Sequence, residues 1–282
     1  MKHGLTYFPS DDSMRPDAFA RAAEERGFES VWFAEHSHIP VSPATPGPPA
    51  PGEPGLPREY YAVGDPFVGL AMAAAATERL KIGTGICLVP QRDVFQTAKQ
   101  VATLDLFSGG RFLFGVGGGW NVPEIENHGT PAGKRFAIQR EKIEAMKQLW
   151  AEERAEYHGA HVDFGPAFAW PKPLQKPHPP IHVGGAGVRA IRRAVRYGDG
   201  WIPLMGGGED DPVGLLPQVR QQLEAAGRDP AGFEVSIYMC PPTEEVVARS
   251  REAGITRVLF PAPSLPEANL LPVLDTYARL LP

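Results

Sequence analysis

The sequence predicts an α/β protein of the (β/α)8 barrel class. The hydrophobic period switches along the whole chain between strand-like and helical spacing, giving about eight strands, each followed by a helix. A length of 282 residues suits one such barrel, which typically needs ~250 residues. The first strand runs into Pro9-Ser10-Asp11-Asp12, where a doubly wound open sheet would carry a G-x-G-x-x-G turn. One domain covering 1–282 is therefore expected.

Gly4–Phe8 forms a short apolar strand, and Pro16–Arg26 has helical spacing through Phe19, Ala22 and Ala23 before Gly27 stops it. Val31–Ala34 is the second strand. Pro66 opens a helix to Ala76, Leu80–Val89 is strand-like, and Val94–Phe107 is helical up to Ser108-Gly109-Gly110. The strand Phe112–Val116 precedes a long helix over Lys134–Glu152. The remaining pairs are Pro180–Gly184 with Val188–Tyr197, Trp201–Leu204 with Pro212–Ala226, Glu234–Met239 with Glu244–Ala253, and Arg257–Phe260 with Pro266–Leu281.

Two segments interrupt the alternation. Residues 38–64 hold Pro40, Pro43, Pro46, Pro48, Pro49, Pro51, Pro54 and Pro57, which fix φ and remove amide donors, so neither helix nor central strand is expected there. The stretch follows the second strand, at the end where barrels place their active sites; a lid and a disordered surface loop are both open readings. Residues 155–179 mix Tyr157, Phe164, Phe168 and Trp170 with prolines and read as a small hairpin insertion.

Composition removes several function classes. A net charge of -5 supplies no basic field for nucleic acid. No apolar run is long enough to span a bilayer, and the opening Met1-Lys2-His3-Gly4-Leu5 becomes strand too soon for a signal peptide. Cys87 and Cys240 lack metal-ligand spacing and read as small buried apolar residues in a reducing compartment, so a cytoplasmic location is expected.

Residues just past the C-terminal ends of barrel strands point into the mouth and supply the candidate site. After the second strand stands Glu35-His36-Ser37-His38, in which His36 can exchange a proton near neutral pH and Glu35 or Ser37 can orient it; a structural histidine is the competing reading. After the third strand, Gly83-Thr84-Gly85-Ile86 permits close backbone approach beside a flat ligand, or marks a barrel corner. After the fourth, Gly117-Gly118-Gly119-Trp120 offers unobstructed amides and a stacking face, or a flexible loop. After the fifth, Gly184-Gly185-Ala186-Gly187 runs into a helix whose N-terminal amides suit a phosphate. No metal-ligand set and no strand-end lysine suited to Schiff-base chemistry accompany them.

Four stretches in order then resemble the luciferase-like monooxygenases and their deazaflavin-dependent relatives. They are Gly27 to His36, Ala73 to Gly85, Ala98 to Arg111, and Pro179 to Gly185 with Tyr197-Gly198-Asp199-Gly200-Trp201. The resemblance covers roughly residues 1–205 and implies a barrel holding coenzyme F420, or alternatively FMN, in its mouth. It further implies that His36 lies beside the ring, that Gly85–Ile86 is a non-proline cis peptide against its back face, that Gly117 and Gly118 border the ring or tail, and that Gly184 to Gly187 hold the phosphate. The activity implied is hydride transfer between F420 and a small, largely apolar organic substrate. The alternatives are an FMN-dependent two-component monooxygenase served by a separate reductase, and a catalytically silent flavin-binding relative. A homodimer is expected, since paired barrels are common in that family. In the family's sugar-phosphate dehydrogenases a glutamate follows the glycines after the fourth strand; here Trp120 stands there, and Glu124 lies a turn further on.

Overall fold

The computed structural model describes residues 1–41, 55–206 and 211–282. Eight parallel strands close into a barrel. In chain order they are β1 (Lys2–Tyr7), β2 (Ser30–Phe33), β3 (Lys81–Thr84), β4 (Phe112–Val116), then, after a two-stranded antiparallel hairpin of β5 (Ala155–His158) and β6 (Asp163–Ala167), β7 (Ile181–Gly184), β8 (Gly200–Ile202), β9 (Glu234–Ile237) and β10 (Arg257–Pro261). β1 pairs with both β2 and β10, which shuts the ring. The hairpin is the insertion expected over 155–179.

The helices follow the alternation read from the sequence: α1 (Pro16–Glu25), α2 (Arg58–Ala62), α3 (Pro66–Ala76), α4 (Val94–Phe107), α5 (Val122–Asn127), α6 (Arg135–Ala151), α7 (Gly187–Tyr197), α8 (Leu216–Ala225), α9 (Glu244–Glu252) and α10 (Glu267–Ala278). Their starts have local causes. Asp65 caps α3 by accepting from the Val68 amide at 3.0 Å, with Pro66 at the first position, and Asp93 caps α4 through the Gln96 amide at 2.8 Å.

Three differences from expectation have physical reasons. The run Leu80–Val89 leaves the strand after Thr84 and ends in a single 3-10 turn, Val89–Gln91; its residues are apolar because Cys87, Leu88 and Val89 are buried, not because they extend. α5 has only six residues, too few for a period to show. α2 occupies the last part of the Pro-rich stretch, and residues 42–54, on which the expected lid chiefly rests, lie outside the described residues.

Inside the ring, Trp32, Leu113, Ile202 and Leu259 pack into a plug. Gly83 makes room for it: a Cβ there would sit 2.7 Å from the Trp32 indole, so this glycine admits a side chain of the core rather than a ligand. Beneath the plug the fully buried Arg257 is held by Glu29 at 2.9 and 3.0 Å, Glu234 at 2.8 Å and Ser236 at 2.9 Å, with its guanidinium 5.6 Å from the Trp32 ring. The N-terminal end of the barrel is thus sealed, and the C-terminal end carries the cavity.

Candidate active site

At the C-terminal end the strand exits surround a cavity of about 490 Å³. Its floor is Ile86, and the glycines around it are there to admit that side chain. A Cβ at Gly117 would fall 1.9 Å from Ile86 Cδ1, and one at Gly184 would fall 2.9 Å from the same atom. The Gly85–Ile86 peptide is cis, as the family resemblance implied. Tyr238, at the end of β9, donates its hydroxyl to the Gly85 carbonyl at 2.6 Å; burial raises its pKa, so it stays a protonated donor.

His36 enters one side of the cavity from the end of β2. Its Nδ1 lies 2.9 Å from Glu124 Oε2, with both side chains almost wholly buried, and the Ser37 amide donates to Glu124 Oε1 at 3.2 Å. Asn121 caps α5 and accepts from the Glu124 amide at 3.4 Å, fixing the carboxylate's helix in place. A carboxylate on Nδ1 selects the Nδ1–H tautomer and leaves Nε2 to face a ligand. The imidazole is flanked by Trp120 at 5.6 Å and Tyr60 at 5.7 Å between ring centroids, and Phe8 stands 5.1 Å behind Tyr60. This end is apolar apart from the histidine and the carboxylate behind it.

The expectation that Glu35 or Ser37 orients His36 is corrected. Glu35 accepts from the Leu88 amide at 2.5 Å and from Arg92 Nε at 2.6 Å, and Arg92 also pairs with Asp65 at 3.0 Å. Successive side chains leaving a strand point opposite ways, so Glu35 faces the wall that His36 faces away from. The Ser37 hydroxyl bridges His38 Nδ1 at 2.8 Å and His128 Nε2 at 2.7 Å, a rim network in which His38 also meets Asn127 at 2.9 Å.

The opposite side of the cavity is built for negative charge. Gly184, Gly185 and Ala186 line it and lead into α7, with Arg189 and Arg193 beside them. Arg193 lies 3.9 Å and Arg135 4.5 Å from the Phe136 ring centroid. The Nε atoms of both arginines and Gln139 Oε1 are buried without a hydrogen-bond partner. Burial lowers the pKa of Arg193, and the charge of Arg135 adds to that. Orphaned cationic donors beside a helix N-terminus are what an anionic tail would satisfy, so the residues fit a phosphate-bearing cofactor.

Of the remaining expected residues, Gly118 borders Phe136 and Gln139, where a Cβ would come within 2.6 Å of the ring. Thr84 does not line the cavity; it is buried in the wall and donates to the Gly115 carbonyl at 2.7 Å. Gly187 starts α7 with φ +68°, shaping the turn rather than the cavity surface. The two cysteines are free and buried; burial pushes the Cys240 thiol up to about 12 and Cys87 well above its usual range, so neither serves as a nucleophile at neutral pH. Among the described residues no group of three or more His, Cys, Asp or Glu side chains forms a metal site, and no helix is long and apolar enough to cross a membrane.

The profile of the luciferase-like monooxygenases matches residues 15–270. The chain belongs to that family. A Mycobacterium tuberculosis relative, an uncharacterized protein, is 42% identical over 265 residues, covering 93% of this chain and 92% of the relative. The F420-dependent glucose-6-phosphate dehydrogenase of Kineococcus radiotolerans is 31% identical over 246 residues, 83% of this luciferase-like chain and 65% of that protein. In fold, the chain is similar to a monooxygenase from Streptomyces bottropensis, with a TM-score of 0.78 at 23% identity, covering 100% of this chain and 98% of that one.

Sequence reasoning missed Glu124 as the partner of His36, and missed Tyr60, Phe136 and Tyr238. For Glu124 the local pattern Asn121-Val122-Pro123-Glu124, a cap residue, an early proline and an acid three positions on, marks a helix start but not the acid's partner, since its carboxylate goes to His36 and the Ser37 amide. The other three have no local signature, because the fold alone brings them to the cavity.

Proposed function

We propose that this protein is a coenzyme F420-dependent oxidoreductase that transfers a hydride to or from a small, largely apolar organic molecule. The observation that carries the reading is the cavity's two-sidedness: a buried His36–Glu124 pair on one side and Arg193, with its Nε unpartnered, beside Arg189 on the other, with a largely apolar space between. The likeness to an F420-dependent dehydrogenase supports the choice of cofactor.

Arg193, Arg189 and the α7 amides would hold the anionic tail, and Ile86, with Gly117 and Gly118, would border the ring. The coenzyme supplies the hydride acceptor or donor when bound. The protein's own part is proton handling and exclusion of water. In the oxidising direction, His36 Nε2 takes the proton of a substrate hydroxyl as the C–H bond gives up its hydride; Glu124 stabilises the imidazolium through Nδ1–H. In the reducing direction the same nitrogen returns the proton to a carbonyl oxygen. Trp120, Tyr60 and Phe8 offer the substrate an apolar wall without a cation, which favours an uncharged molecule over a sugar phosphate.

The test is a fluorescence titration of the purified apo protein with F420 and, separately, with FMN. The expected result is micromolar binding of F420 and at least tenfold weaker binding of FMN. Preference for FMN would replace this reading with the two-component monooxygenase, and binding of neither would remove the cofactor site.

A further inference from the structure

Among the described residues two hydroxyls line the cavity, and they are used differently. Tyr238 donates its own to the Gly85 carbonyl. The Tyr60 hydroxyl has no hydrogen-bond partner among the described residues. The Tyr60 ring is packed all the same: Phe8 lies 5.1 Å, His36 5.7 Å and Trp120 6.4 Å from it between centroids. Phenylalanine would serve that packing equally well, so the hydroxyl is the part of the residue that the fold leaves unexplained.

The residue is also firmly placed. It sits on α2, which docks on the turn after β1. Arg58 donates to Asp12 at 2.7 Å and to Asp11 at 2.8 and 3.1 Å, and the Gly64 amide donates to the Pro9 carbonyl at 2.8 Å. Exposed ion pairs add little stability, but one guanidinium on two carboxylates defines the orientation of so short a helix. The Tyr60 oxygen is close enough to Tyr238 for a charge on one phenol to act on the other, which sets it over the cavity floor. Burial, reinforced by the charge of Glu59, raises the Tyr60 pKa and keeps it a protonated donor.

His36 and Tyr60 thus bring two different capacities to one end of the cavity. With Glu124 on Nδ1, His36 Nε2 accepts a proton; the Tyr60 hydroxyl donates a hydrogen bond. Their rings are 5.7 Å apart and tilted by 41°, a separation that one oxygen between them bridges at ordinary hydrogen-bond lengths of ~2.7–2.9 Å. We propose that Tyr60 is a catalytic residue that hydrogen-bonds the reacting oxygen opposite His36, so that the cavity takes a molecule carrying a single hydroxyl or carbonyl on an otherwise apolar frame. This rests on the hydride-transfer reading above. In the oxidising direction the substrate carbon loses its hydride to the cofactor, the hydroxyl proton passes to His36 Nε2, and the C–O bond becomes C=O. Tyr60 keeps its proton and steadies the charge that builds on the oxygen. In the reducing direction the same hydroxyl polarises the carbonyl, and protonated His36 returns the proton. Phe8, Leu204 and Met239, which also line the cavity, offer a second substrate hydroxyl no comparable partner.

The test compares two inert probes, para-fluorophenol and fluorobenzene, followed by fluorine NMR in wild type and in Tyr60→Phe. Both are titrated into protein saturated with F420, or with FMN should the cofactor titration select it, so a failure of the F420 reading is told apart from a failure at Tyr60. Tyr60→Phe keeps the ring and removes only the oxygen. It should weaken para-fluorophenol by roughly tenfold and move the fluorine shift of the bound phenol, while fluorobenzene stays within about twofold. Unchanged para-fluorophenol affinity overturns the proposal. So does an equal loss for both probes, which would make Tyr60 a packing residue, and so does a wild type that binds no para-fluorophenol at millimolar concentration.

Discussion

The two ends of the barrel hold similar chemical groups in opposite circumstances. At the N-terminal end, Arg257 is fully buried but has Glu29, Glu234 and Ser236 as partners, and the Trp32 plug closes over it. At the C-terminal end, His36 is nearly as buried, with Glu124 behind it, yet it borders a cavity whose far side is lined by Arg193, whose Nε has no partner, with the unpartnered Arg135 Nε and Gln139 Oε1 behind that wall. Burial of charge alone therefore does not mark a site in this molecule. Unused hydrogen-bonding capacity facing a cavity does. His182 makes the point from the other direction: burial, with Arg257 nearby, lowers its pKa to about 4, a strong perturbation inside a packed floor where no ligand could reach it.

The largest expected effect lies at the C-terminal end. His36→Ala should lower turnover by ~10²–10⁴-fold, measured under saturating cofactor, with cofactor affinity within about threefold of wild type. Unchanged turnover would remove His36 from proton transfer, and an equal loss of affinity would make it a binding residue.

Next comes the sealed end. Arg257→Met leaves the Glu29 carboxylate without the guanidinium and Glu234 with Lys2 alone, and should cost about 3 kcal/mol in denaturant-unfolding experiments. Cofactor affinity of the folded fraction should not change. A variant as stable as wild type would mean that the network contributes no net stability.

A comparable effect, confined to acid pH, is a pH dependence. His182 titrates at about 4 in the folded protein against 6.5 in the unfolded chain, so the unfolded state binds more protons between those values. Its favourable contribution is complete above pH 6.5 and fades as the pH falls toward 4. Burial acts to raise the Glu234 carboxyl, but Arg257 and Lys2 outweigh it and hold it near 2; its contribution is present above 4.5 and is lost between there and 2. His182→Asn should flatten the stability profile between pH 6.5 and 4 by on the order of 3 kcal/mol, and should also narrow the lower window, because His182 helps Arg257 and Lys2 hold the Glu234 carboxyl down. An unaltered upper window would place the acid sensitivity in other histidines.

The same contrast explains what was legible in the sequence. The eight barrel strands could be read because each is a short buried run between glycine, proline or polar turns, and α3 and α4 end at the residues their caps and stops indicate. Glycines of these runs stand in the cavity wall, although Gly83 serves Trp32 and Gly117 serves Ile86. Proximity in sequence misled in the case of Glu35, because neighbours at a strand exit face apart. Glu124 reaches His36 from a helix 88 residues later, a contact that only closure of the barrel creates. The arginine pair on Phe136 joins α6 to α7 in the same way, and no local pattern announces it.

The most direct test of the two-ended cavity is the F420 affinity of Arg193→Met, measured by fluorescence titration beside wild type and His36→Ala. Loss of a charge-assisted contact to the anionic tail should weaken binding by roughly 10–100-fold in Arg193→Met, while His36→Ala stays within about threefold. Wild-type affinity in Arg193→Met would contradict the assignment of that side of the cavity to the cofactor's negative charge.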